Sequence, residues 1–125
     1  MVYLIAGGAL GTWMRYAMSG WAYRQFGWTF PIGTLLVNAL GCFAIGLLWG
    51  IAENMPVSPN IRVFLFTGIL GGYTTFSTYA LETMNLIRDG ETRMAMLNLF
   101  GSVLLGILLV FAGFFLSKSL PELLK

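Results

Sequence analysis

The chain has 125 residues, 58% of them hydrophobic and only 10% charged, and its mean hydropathy is +0.80. A water-soluble domain carries about 25% charged residues, so these charges cannot cover a soluble surface, and a soluble enzyme is excluded. Histidine is absent and Cys42 is the single cysteine, which excludes an internal disulfide, a multi-Cys/His metal site and a Cys–His nucleophile.

A membrane helix needs about 20 mainly apolar residues, so four would occupy roughly 80 positions and leave about 45 for loops and ends. A fifth would be crowded, and the alternation that a transmembrane barrel needs is missing. Residues 1–125 therefore read as one all-α domain of four transmembrane helices. Span one covers about 2–23, with Arg15 as its one charge; lacking a positive flank and outrunning a signal core, it reads as a helix that stays. Residues 24–30 lead to Pro31, which suits the first turn of span two, about 32–52. The connection 53–60 carries Pro56 and Pro59 and has turn chemistry. Span three covers about 62–87, a polar loop follows at 88–93, and span four covers about 94–116. Four spans put both ends of the chain on one side.

Span three is irregular at its middle. Gly71 and Gly72 precede a run containing Thr74, Thr75, Ser77 and Thr78. Glycines weaken a helix, and hydroxyls compete for its backbone bonds. The pattern predicts a break rather than a straight helix whose hydroxyls bond back to their own carbonyls. In hydrocarbon, free backbone groups are tolerated only where protein buries them or water reaches them, and broken helices often build ion sites. Gly7 and Gly11, Gly46 and Gly50, and Gly68 and Gly72 recur at the four-residue spacing that lets membrane helices approach closely. That spacing predicts packing, not activity.

Positive residues normally collect on the cytoplasmic side. Here Arg62, Lys118 and Lys125 fall on the side of the termini, while Arg24, Arg88 and Arg93 fall opposite. Three against three is no bias. Such a chain can insert either way up, which points to an antiparallel homodimer of oppositely oriented copies, chance balance being the plainer alternative. Size favours the dimer, because four helices with so few polar residues barely enclose a polar path.

Those polar residues are the candidate site. Asn38 lies mid-span, where an amide must bond to a partner or face a wet cavity; helix-to-helix glue is its ordinary role. Phe76 and Tyr79 flank Ser77 and Thr78 in the broken segment. Such aromatics are mostly packing, yet a ring edge is electropositive and can touch an anion without trapping it. Asn98 and Ser102, four apart, share one helical face. Glu82 lies near the end of span three, and Arg15 either reaches toward the interface or draws anions to a pore mouth.

Three patches together resemble the Fluc (CrcB-like) fluoride channels of bacteria and some other microbes. They are Gly7-Gly8-Ala9-Leu10-Gly11 with Arg15-Tyr16; Gly33-Thr34-Leu35-Leu36-Val37-Asn38 with Gly41; and the run from Gly68 to Tyr79 with Glu82 after it. The resemblance covers nearly the whole chain, and the third patch is its most specific part. It implies a dual-topology antiparallel homodimer in the cell (inner) membrane, among lipid, with two fluoride pores at the subunit interface. On the same basis the pore asparagine is Asn38, the two box aromatics are Phe76 and Tyr79, Ser77 and Thr78 adjoin them, and the fourth-span polar track is Asn98 and Ser102. Arg15 and Glu82 fall in the vestibule. A structural, non-conducted Na+ is implied at the dimer axis, held by backbone carbonyls that by position belong to Gly71 and Thr74. Tyr79 departs from the family's phenylalanine, and span four lacks the tyrosine that some relatives place on the track.

Such a pore would replace the water shell of fluoride with neutral donors, good enough to admit the ion and weak enough to release it. Its implied role is passive export of fluoride that enters as the neutral acid, protecting the cell from fluoride toxicity. The rival reading is a small multidrug-type exporter, also a four-helix dual-topology dimer, which exchanges protons at an acid in span one. Span one carries Arg15 and no acid. A scaffold without transport is the third reading, and it leaves the hydroxyl-rich break without a purpose.

Overall fold

A computed structural model describes residues 1–123, all helical apart from short connections. Lys125, counted above in the charge balance, lies outside the described residues. The elements are α1 (Val2–Phe26), α2 (Ile32–Asn54), α3 (Pro59–Arg62), a π-helical segment (Val63–Leu70), α4 (Gly71–Tyr73), α5 (Phe76–Arg88) and α6 (Thr92–Leu123).

Local chemistry sets the ends. Helix α1 stops where Gly27 takes a positive φ of 82°, with its N–H on the Tyr23 carbonyl. Ser58 caps α3 by accepting the Ile61 N–H at 3.3 Å, and Gly90, at φ 78°, turns the chain between α5 and α6. Helix α6 has 32 residues, about 48 Å at 1.5 Å per residue, and so outruns both the expected 94–116 and the ~30 Å of hydrocarbon. It runs on past 116 through Ser117, Lys118 and Ser119, with Lys118 paired to Glu53 of α2 at 2.8 Å, and takes Pro121 into its last turn.

Burial is inverted relative to a soluble protein. Leu97, Leu104 and Phe115 stand about two-thirds exposed, whereas Gly7, Gly11, Gly41 and Gly46 are buried. Lipid tails are as apolar as leucine, so membrane helices join through small residues that let backbones touch. On α1, a Cβ at Gly7 would meet the Phe64 carbonyl oxygen and one at Gly11 the Ile69 carbonyl oxygen. Gly46 stands likewise against Val110 and Gly113 against Phe43, and α6 packs chiefly along α2. Two helices, α2 and α6, are long and apolar enough to cross a membrane by length and composition. These features fit a membrane protein.

The third hydrophobic stretch is discontinuous, as its glycines and hydroxyls predict. Thr74 (φ −80°, ψ 157°) and Thr75 (φ −149°, ψ 119°) are extended and separate α4 from α5. The π-helical turns before the break carry no signal in the sequence; such turns frequently sit at functional sites.

Candidate functional site

The break is clamped from α2. Asn38 Nδ2 donates to the Thr75 carbonyl at 2.9 Å, and the Thr75 N–H donates to Asn38 Oδ1 at 2.8 Å. One amide thus satisfies both polar groups of an extended residue, leaving its second N–H outside this pairing. Thr75 Oγ1 in turn caps α5 by accepting the Thr78 N–H at 3.3 Å.

These diversions release carbonyls. In a continuous helix Gly71 would receive the Thr75 N–H and Thr74 the Thr78 N–H. Both donors are bonded elsewhere. The Thr74 N–H and Oγ1 both go to the Leu70 carbonyl, each at 3.0 Å. Gly71 and Thr74 therefore carry carbonyl oxygens without their helical donors, the kind of ligand a hard cation such as Na+ takes.

A cavity of about 370 Å³ opens at the break and gathers Asn38, Thr74, Phe76, Tyr79 and Ser102, with Gly71 and Cys42 on its wall. Phe76 is 77% exposed, whereas Tyr79 is buried; their ring centroids are 5.7 Å apart at 50°. The Tyr79 hydroxyl donates to the Leu99 carbonyl of α6 at 2.6 Å. The hydroxyl is thus engaged at α6, while Tyr79 lines the cavity.

The remaining expected residues separate. Thr78 and Arg15 line a second, larger groove of about 830 Å³ together with Arg24, Ser19 and Thr34. Ser77 is exposed at the start of α5. Asn98 is 2% exposed and does not line the cavity. It lies behind Ser102, accepting the Ser102 hydroxyl at 3.1 Å and donating to Thr83 Oγ1 at 2.9 Å. Glu82 Oε1 accepts from Tyr23 (3.1 Å) and Thr34 (2.8 Å), and its buried Oε2 has no partner among the described residues. Tyr23, Thr34 and Thr83 are absent from the sequence-based site. A threonine in a helix reads as self-satisfied, and only the three-dimensional pairing reveals its acceptor or donor.

Comparison with known proteins shows the family. The sequence model of the family described as CrcB-like protein, Camphor Resistance (CrcB), matches residues 2–114. The chain belongs to the CrcB family. Among curated relatives, a Parabacteroides distasonis protein is 48% identical over 122 residues, covering 98% of this chain and 95% of its own length. An Aquifex aeolicus relative is 42% identical over 122 residues, covering 96% of this chain and 98% of the relative. A Thermus thermophilus relative is 46% identical over 114 residues, covering 91% and 90%. Each of these CrcB relatives is named fluoride-specific ion channel FluC.

Proposed function

We propose that this CrcB-family chain is a fluoride channel and not an enzyme. The observation that carries the reading is the cavity at the helix break, where an amide, the hydroxyl residues Thr74, Thr75 and Ser102 and three aromatic residues meet without a lysine or arginine among its lining residues. Fluoride is small and tightly hydrated, so a path must hand it donors as water leaves. Neutral donors hold it without fixing it. The second N–H of Asn38, the edges of Phe76 and Tyr79, and the hydroxyl of Ser102 are the donors proposed at the cavity; Ser77, Thr78 and Asn98 extend or support the polar path. Arg15, in the wider groove, raises the local anion concentration at the mouth. Glu82 belongs to the same end through Tyr23 and Thr34.

The proposed assembly is an antiparallel, dual-topology homodimer in the inner membrane with two pores. The balanced charges support it, as does Phe76, an exposed ring that lines the open polar cavity and that a second copy would enclose. Na+ at the dimer centre would be held by the Gly71 and Thr74 carbonyls, and its charge would offset the repulsion between facing carbonyl dipoles. Passive export of fluoride down its gradient then protects the cell.

Fluoride efflux from proteoliposomes, read with a fluoride-selective electrode, tests the function. Release without proton coupling is expected; drug–proton exchange would establish the exporter reading, and silence from intact protein would leave a scaffold. Tags at one terminus should be reachable from both sides of the membrane, and a single orientation would refute dual topology.

A further inference from the structure

Behind the cavity, three side chains form a hydrogen-bond chain that runs in one direction. The Tyr79 carbonyl can only accept, so Thr83 Oγ1 donates to it at 2.9 Å. With that proton committed, the Thr83 oxygen accepts from Asn98 Nδ2 at 2.9 Å. The amide so turned offers Oδ1 to Ser102, whose hydroxyl donates to it at 3.1 Å. Every proton points away from the cavity. Ser102 lines that cavity, and in this arrangement it shows an approaching anion lone pairs instead of a donor.

We propose that Ser102, Asn98 and Thr83 form a two-state polarity switch, in which Asn98 and Thr83 are positioning residues that let Ser102 turn its proton to the passing anion. The inference rests on the fluoride-channel reading and assigns that path a means of presenting its donor only when an anion is there. In the second state the Asn98 amide rotates half a turn about its Cβ–Cγ bond, exchanging nitrogen and oxygen at nearly unchanged positions. Thr83 then donates to Oδ1, Nδ2 donates to Ser102 Oγ, and the Ser102 O–H is free for the cavity. Each proton stays on its own heavy atom. Tyr79 loses a side-chain donor but keeps the backbone N–H of Thr83, its partner in helix α5. One neutral bond to an already bonded carbonyl is exchanged for a charge-assisted bond to the anion, which is roughly twice as strong.

Burial couples the members. Thr83 is 7% and Asn98 2% exposed, so water does not satisfy either group when its neighbour turns, and the pair must reverse together. A lone Ser102 would have to abandon Asn98 Oδ1 to greet an anion. The relay removes that conflict.

The test uses full-length protein in liposomes loaded with sodium fluoride, with flux measured across a range of fluoride concentrations. Thr83→Val removes the link with little change of shape and should lower flux below saturation by about tenfold, the scale of one hydrogen bond to a charged group. Ser102→Ala should do the same, and Thr83→Ser should restore flux. The double variant Thr83→Val/Ser102→Ala should be no worse than either single one, because both break the same relay. Multiplying effects, or a Thr83→Val channel equal to wild type, would overturn the switch. A second readout follows the wild-type protein itself: isotope-edited infrared with the label in the asparagine side-chain carbonyl, the Asn98 band being the one lost in Asn98→Gln. Fluoride should shift the Asn98 band, and an unmoved band in a conducting channel overturns the proposal. Wild-type liposomes that release no fluoride would instead refute the channel reading beneath it.

Discussion

Asn38→Asp changes one group, NH2 to oxygen, at nearly constant volume. The Thr75 N–H keeps its acceptor at 2.8 Å, but the Thr75 carbonyl, 2.9 Å from the former donor, now faces a second acceptor. Leaving a carbonyl of this kind unpaired costs about 1–3 kcal/mol. The effect on the anion is larger. Two unit charges about 4 Å apart interact by about 4 kcal/mol at an effective dielectric of about 20, and here the sign is repulsive. At 1.4 kcal/mol per factor of ten, occupancy of the cavity by an anion falls about a thousandfold. Electrode-recorded efflux from proteoliposomes should drop to the protein-free leak, with size-exclusion elution checking that the variant is folded. An Asn38→Asp protein that elutes as wild type and conducts within about threefold of it would remove Asn38 from the ion path and refute this reasoning.

Phe76→Ile takes away the exposed ring and its polarised edge, so flux in the same assay should fall at least tenfold while folding is retained; normal throughput would refute the ring's role. Tyr79→Phe keeps the ring and deletes only the bond to Leu99. Its expected cost is about 1 kcal/mol in thermal stability, the scale of one interhelical bond in a membrane, with flux reduced by no more than about threefold; a larger flux loss would mean that the hydroxyl itself meets the ion. Gly46→Ala pushes a methyl group against the Val110 carbonyl, a backbone contact that cannot swing aside. It should destabilise the α2–α6 pair by about 1–3 kcal/mol, seen as a lowered unfolding midpoint in detergent, and an unchanged midpoint would contradict the close packing.

What the sequence makes legible here is local. Gly71 and Gly72 followed by hydroxyls announce a break because each residue weakens the helix where it stands, and the chain is extended at Thr74 and Thr75. Glycines four apart announce a touching face for the same reason. The partner across that face is not legible, nor is the pairing of Asn38 with Thr75, because 37 residues separate them. Asn98 shows the limit well. Its four-residue spacing from Ser102 places the two on one face, and they are bonded. Which of them reaches the cavity depends on α5, whose Thr83 draws the amide inward. The π-helical turns from Val63 to Leu70 leave no trace in composition, since the same apolar residues build an ordinary helix equally well.

The clamp on the break ties two expected properties together. Asn38 takes the Thr75 N–H away from Gly71, and Thr75 takes the Thr78 N–H away from Thr74. The carbonyls so released are the acceptors proposed for Na+, while the remaining N–H of Asn38 is a donor proposed for fluoride. In this proposal one amide frees the Gly71 ligand of the cation and also serves the anion. Substituting Asn38 by leucine should return the Thr75 N–H to Gly71 and weaken both functions: the thermal gain on moving purified protein from N-methylglucamine to sodium salts should shrink along with the flux. Ser102→Ala touches neither carbonyl, so it should lower flux and leave the sodium dependence intact. If Asn38→Leu abolishes flux yet keeps the full sodium response, the carbonyls are not released by the clamp, and the two sites are independent.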